Sequence, residues 1–238
     1  MGYRKTPLLN GEFYHIYNRG NSRQQIFFDD ADYNRFIKLL YICNSIKQVN
    51  FRDDIVEKGI DVWDIDRGEA IVAIGAWVLM PNHFHIYVTS PKDGLLDGNN
   101  ITVFMRKLCT AYSKYINTKY SRTGTLFEGR FKSVHITEDV QAKYLFSYIH
   151  LNPVKLFQKN WKEDGIKDKV KAISFIKKYR WSSCYDYLYK DRIESRLLEL
   201  RNFPDYFSNK DVFQKEIFEW LNVHQPSQKT PSQKTVFW

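Results

Sequence analysis

The chain has 238 residues, 43% of them hydrophobic and 26% charged, which excludes an intrinsically disordered protein. No apolar run reaches the ~18 residues of a membrane span, and residues 1–12 lack the apolar stretch of a signal peptide, so cytoplasm is the expected compartment. Lys and Arg outnumber Asp and Glu by 36 to 27, giving a net charge of +9, and such a surface attracts phosphate-bearing partners.

The 16 Tyr and 17 Phe add flat faces on which unpaired bases can stack. Three cysteines, odd in number and without a CxxC pair, argue against a disulfide framework and against a cysteine-based zinc site. The length suits one large domain, or a smaller one with an extension.

FYHIYNRG (13–20) alternates as a strand does and ends in a turn signal. DDADYNRFIKLLYICNSI (29–46) opens acidic and continues with Tyr33, Phe36, Ile37, Leu40 and Tyr41 at helical spacing. Residues 47–69 are polar and predict a loop, with a short hairpin around 60–65. EAIVAIGAWVLM (69–80) is a strand by its Val, Ile and Trp content, Pro81-Asn82 a turn, and HFHIYVTS (83–90) its antiparallel partner.

PKDGLLDGNN (91–100) predicts a loop and 101–119 a helix with Phe104, Leu108, Ala111, Tyr112 and Tyr115 on one face. A basic, glycine-punctuated loop follows, SRTGTLFEGRFKS (121–133), then a short strand at 133–136. Thr137 begins an incomplete capping box for a helix that runs to about His150 and stops near Asn152-Pro153. The first six elements have the β-α-β-β-α-β order of a ferredoxin-like fold. The expected class is therefore α+β, an antiparallel sheet with helices on one face, plus a helical C-terminal extension. The expected organisation is a domain over 1–160, a mainly helical extension over 161–223, clearest at 181–189 and 211–221, and a flexible tail over 224–238 that repeats PSQKT.

His83 and His85 are two apart in a strand and must project from one face, with Phe84 and Ile86 on the other. Such a pair holds a divalent ion if a third ligand arrives from elsewhere, or each imidazole satisfies a hydrogen bond at the hairpin end. His15 and His135 read as ordinary strand residues. In YIHLNPVK (148–155), Tyr148 and Asn152 share one helical face. Tyr148 is either core or a nucleophile toward phosphorus, and Asn152 either a helix terminator or a metal-binding side chain.

PNHFH resembles the HUH motif (His, hydrophobic, His) of single-strand DNA nucleases. The chain as a whole resembles the REP-associated tyrosine transposases, relatives of the single-tyrosine insertion-sequence transposases. The matching pieces are HIYNRGNSRQQIF (15–27), WVLMPNHFHIYV (77–88), KYINTKYSRTGTLFEGRFKS (114–133), YIHLNPVK (148–155) and YRWSSCYDYL (179–188), in that order over roughly residues 13–190. Residues 47–69 are longer than the usual connection, and nothing after about 190 matches.

The resemblance implies a ferredoxin-like fold and single-stranded or hairpin DNA as partner, with the oligomeric state left open between monomer and homodimer. It implies His83, His85 and Asn152 as ligands of a divalent metal, Mg²⁺ or Mn²⁺, and Tyr148 as the nucleophile of a 5′-phosphotyrosine strand transfer. Arg122, Arg130 and Lys132 flank glycines where backbone can approach phosphates, and Phe127 and Phe131 offer stacking faces. Arg19, Arg23, Arg106 and Lys107 are further candidates for DNA contact. Two rival readings are a non-catalytic nucleic-acid-binding protein on the same fold, and a hydrolytic metalloenzyme with a structural Tyr148. The second lacks the carboxylates such a site usually recruits.

Overall fold

Alternation decides which side chains face which layer. In β1 (Phe13–Arg19), Tyr14 and Ile16 are buried toward one side, while Phe13, His15 and Tyr17 point to the other. β2 (Ala73–Met80) and β3 (His83–Thr89) form the expected hairpin, with Met80 paired to His83 across Pro81-Asn82. β4 (Lys132–Ile136) pairs with β1. All neighbours are antiparallel in the order β2-β3-β1-β4, which makes the sheet ferredoxin-like. The computed structural model describes residues 7–47, 49–93, 100–189, 191–204 and 210–223, without the side chains of 218 and 220–223. Most of the loop expected at 91–100 and all of the tail expected to be flexible at 224–238 lie outside the described residues.

α1 (Asp30–Cys43) and α2 (Asn100–Lys119) cover the Tyr14/Ile16 face. Asp29 caps α1 by accepting from the Asp32 amide at 3.0 Å. The helices are joined through a buried carboxylate: Asp32 accepts from Lys119 at 2.7 Å, Tyr115 at 3.0 Å and Tyr120 at 2.8 Å. Phe36 packs between Phe84 of the sheet and Tyr112 of α2, with ring centroids 5.0 and 4.8 Å away.

The opposite face carries α3 (Asp139–Leu151) and the later helices α4 (Trp161–Asp164), α5 (Lys169–Lys178), α6 (Cys184–Leu188) and α7 (Lys210–Val223). Side chains of α3 and the later helices share one hydrophobic cluster with Ala76, Val78 and Tyr87 of the sheet. The extension also closes the β2 edge. Leu79 N donates to Trp181 O, Ser183 N to Trp77 O and Glu199 N to Ile74 O, all at 2.9–3.0 Å. An edge strand left bare would be a template for another chain; here burial on both faces and along the edge explains why AIGAWVLM is a continuous apolar run.

Two local expectations fail. No hairpin forms at 60–65: Phe51–Val56 makes a π-helical turn and Val62–Asp64 a 3-10 turn. Asp61 caps the latter, and Trp63 packs on Tyr41 at 4.9 Å, so burial against α1 wins over strand pairing. Thr137 is not the cap of α3 either. The cap position is Glu138, which makes no side-chain cap bond, and Gln141 instead accepts from the Thr137 amide at 3.2 Å.

Candidate active site

The hairpin turn that presents His83 is held from outside by residues 20–27. Pro81 O accepts from Ile26 and Phe27, Asn82 O accepts from Gly20, and the Asn82 side-chain amide donates to Arg23 O at 3.0 Å. Gly20 is needed for close approach, because a Cβ there would stand 2.1 Å from Gln24 O.

His83 and His85 project from the α3 side of β3, their ring centroids 5.0 Å apart. Asn82 Oδ1 lies 2.6 Å from His83 Nδ1, which sets that nitrogen as donor and leaves the lone pair on Nε2. His85 Nδ1 lies 2.8 Å from His15 Nε2 on the neighbouring strand, and His85 Nε2 is buried without a hydrogen-bond partner. His15 is thus part of the constellation, contrary to its expected role as an ordinary strand residue. The local sequence around His15 carries no sign of this; the β1–β3 register, Tyr17 opposite His85, creates the contact.

α3 crosses this face and sets the Tyr148 ring against His85, with centroids 5.3 Å apart, and edge-on to His15 at 6.3 Å. The chain does not leave helical geometry at Asn152. Its φ and ψ of −53° and −38° are helical although a proline follows, and a 3-10 turn continues to Leu156. Asn152 therefore keeps the phase of Tyr148 and is fully buried, with neither amide atom in hydrogen-bonding geometry. The amide nevertheless stands near enough to favour protonated His83 and ionised Tyr148, in each case against the dominant effect of burial.

Burial, followed by the charge of Lys162, holds His15 down to about 3. Burial, then Lys155, holds His83 down to about 4. His85 lies well below the ordinary imidazole value through burial and then the neighbouring His15 and His83. All three rings are neutral at pH 7, the form that ligates metals. Among the described residues, no three His, Cys, Asp or Glu side chains are arranged to hold a metal ion. Of the expected ligands, Asn152 would have to supply the third donor. Burial pushes the Tyr148 hydroxyl up from its ordinary value, and only 2% of the residue is exposed. The Lys162 ammonium sits 3.9 Å over the centre of its ring. Burial, then the charge of Lys155, lowers Lys162 to about 8.

His83 and His85 open into a cavity of about 580 Å³ bordered by Arg19, Arg23, Lys132, Lys155, Lys159 and Lys162. A wider cavity of about 1020 Å³ shares Tyr17, Asn18 and Lys132 with it and adds Arg106, Arg130 and Phe131. Arg23, Arg130, Phe131 and Lys132 are thus at these cavities. Arg19 is there too, engaged with Glu128 through two hydrogen bonds, one of 2.8 Å from Nη2. Arg122 lines neither, and its amide closes the end of α2 on Asn117 O at 2.9 Å. Phe127 is buried among Phe84 and Tyr112 and has no face to offer a base, because the loop folds back as Gly20 bridges to Phe127. Lys107 donates to Ser45 O at 2.7 Å and helps fix α1. Lys155, the last residue of YIHLNPVK, and Lys162, in the expected helical extension, are cations of the site that sequence reasoning missed.

The neutral buried histidines have a measurable consequence. A group whose folded pKa is depressed binds its proton preferentially in the unfolded chain, so stability falls as pH drops below the unfolded value near ~6.5. His15, His85 and His150 are each at most 1% exposed, and all are shifted down. Between pH 7.5 and 5.5 each should remove roughly 1.4 kcal/mol. Denaturant unfolding at the two pH values checks this; equal stabilities would mean that these imidazoles are charged in the folded protein.

Among the described residues, no helix is long and apolar enough to cross a membrane. No family model and no curated protein matches the sequence. Among solved structures, a REP-associated tyrosine transposase bound to a REP hairpin is similar with a TM-score of 0.47 and 17% identity, over 79% of this chain and 84% of that one.

Proposed function

We propose that this protein is a metal-dependent single-strand DNA endonuclease and strand-transferase that acts on hairpin or repeat DNA through a covalent 5′-phosphotyrosine at Tyr148. The observation that carries the reading is the meeting, beside a cation-lined cavity, of two neutral imidazoles from β3 with a tyrosine and an asparagine one helical turn apart. Their donor set fits a hard-to-borderline divalent ion. His85 Nε2 and both Asn152 amide atoms are buried outside hydrogen-bonding geometry, and Asn82 engages His83 at Nδ1 rather than Nε2. His83, His85 and Asn152 would hold the ion, Mg²⁺ or Mn²⁺, which when bound supplies Lewis-acid polarisation of a scissile phosphate.

The protein's own groups account for the rest. Tyr148 Oη forms the bond to phosphorus while the P–O3′ bond breaks; the 3′-oxygen leaves as a hydroxyl, and the phenolic proton is given up. The phosphotyrosine ester keeps the energy of the broken linkage, so a second 3′-hydroxyl can reverse the step on another DNA end. His15 holds His85 in one ring orientation. Arg23, Arg130 and Lys132 carry backbone contacts, and Phe131 is the stacking face.

A second reading, DNA binding without turnover, has one observation in its favour: Tyr148 is nearly inaccessible under Lys162. Incubating the protein with end-labelled single-stranded hairpin DNA and Mn²⁺ separates the two. The strand-transferase yields a denaturation-resistant adduct that chelator prevents; retained binding with no adduct in any divalent metal would favour the second reading.

A further inference from the structure

Three features of the cleft converge on a pair of side chains outside the four just discussed. Lys155 belongs to the 3-10 turn that starts at Asn152, three residues beyond it. Lys162 belongs to the short α4 and lies over the Tyr148 ring at 3.9 Å. Both border the cavity that His83 and His85 open into. They are half-buried rather than splayed into water, and each lies below its ordinary value because burial penalises its charge; for Lys162, repulsion by Lys155 adds to this. Two half-buried ammonium groups lining one cavity are stabilised by an anion that enters it.

The carboxylates that line the cavity are few. The cavity has two, Glu128 and Glu163, against the six cations Arg19, Arg23, Lys132, Lys155, Lys159 and Lys162. Glu128 is taken by Arg19. Glu163 eases the charge on both lysines, yet both remain depressed.

We propose that Lys155 and Lys162 form the seat of the reacting phosphodiester, Lys162 leaving the face of the Tyr148 ring to do so and uncovering the nucleophile. The inference rests on the strand-transfer reading for the identity of the anion, a single backbone phosphate of single-stranded DNA. Its role is positioning and charge neutralisation. The ammonium exchanges a cation–π contact for an ion pair with a phosphate oxygen, which is the stronger interaction when water is excluded.

A charge-deletion scan tests it. Hairpin oligonucleotides carrying one neutral methylphosphonate at successive linkages are bound by the Tyr148→Phe protein in EDTA, which removes both cleavage and metal. One linkage is expected to lose roughly tenfold in affinity when neutral. In Tyr148→Phe proteins that also carry Lys155→Met or Lys162→Met, that same linkage should lose less than about twofold, because its partner is gone. Lys162→Arg should restore most of the penalty. A penalty that stays undiminished at every linkage in the methionine variants would overturn the seat. Failure of the activity reading looks different: wild-type protein would then form no adduct while the lysine-coupled linkage persists.

Discussion

Tyr148→Phe is expected to abolish the covalent DNA adduct, a loss of at least ~10³-fold in rate, equivalent to ~4 kcal/mol of transition-state stabilisation. Among the described residues, the other tyrosines near the site hold different positions. Of the aromatic rings near the two β3 histidines, Tyr17 is on β1 at 5.7 Å from His85, and Tyr144 lies one turn before Tyr148 on the same helix, 6.2 Å from its ring. The substitution keeps the ring that packs on His85 and beneath Lys162, so the fold should change by no more than about 1.5 kcal/mol. Single-strand binding should be unchanged within about twofold, since the hydroxyl is not a phosphate contact. Gel analysis of the adduct, thermal unfolding and a binding titration on the same preparation separate these effects. An adduct formed at the wild-type rate would remove Tyr148 from the reaction.

The histidine substitutions should be the next largest, and they should differ from each other. If the wild type is stabilised by Mn²⁺ as proposed, His83→Ala and His85→Ala are both expected to remove that rise in melting temperature and to lower adduct formation by at least ~10²-fold. His83 is half-buried at the start of β3 and bonds to the side chain of the adjacent Asn82, so its loss should leave the fold nearly intact. His85 is 1% exposed and bonded to His15 in the sheet interior. Truncating it leaves a cavity and strips His15 of that bond, at about 2–4 kcal/mol. Melting curves with and without Mn²⁺ are the check. Metal-dependent stabilisation retained in His83→Ala would take that imidazole out of the ligand set.

These consequences trace back to what the chain made readable and what it did not. The two-residue spacing of HFH sufficed to place both imidazoles on one side of β3, because strand geometry has a strict period. The four-residue spacing of Tyr148 and Asn152 sufficed likewise, once Asn152 stayed helical ahead of Pro153. The order of strands and helices carried the sheet topology. What could not be read was whatever depends on register or distant packing. His15 meets His85 only because β1 sits beside β3 with Tyr17 opposite His85. Lys162 reaches Tyr148 from a four-residue helix whose sequence, WKED, carries no periodic signal. Phe127 looked like an exposed loop aromatic until the loop folded under Gly20 and buried its ring. The same holds for the extension, which closes the β2 edge through contacts more than 100 residues away in the chain.

The reading turns on which atom becomes bonded to DNA, and peptide mapping of the adduct measures that directly. Tryptic cleavage after Lys143 and Lys155 releases YLFSYIHLNPVK, which holds Tyr144 and Tyr148 together. After nuclease trimming of the Mn²⁺-dependent adduct, fragmentation of this peptide should put a 5′-linked nucleotide on Tyr148 and leave Tyr144 unmodified. A nucleotide on any other residue, or an unmodified peptide from a preparation that binds the hairpin, would contradict the account.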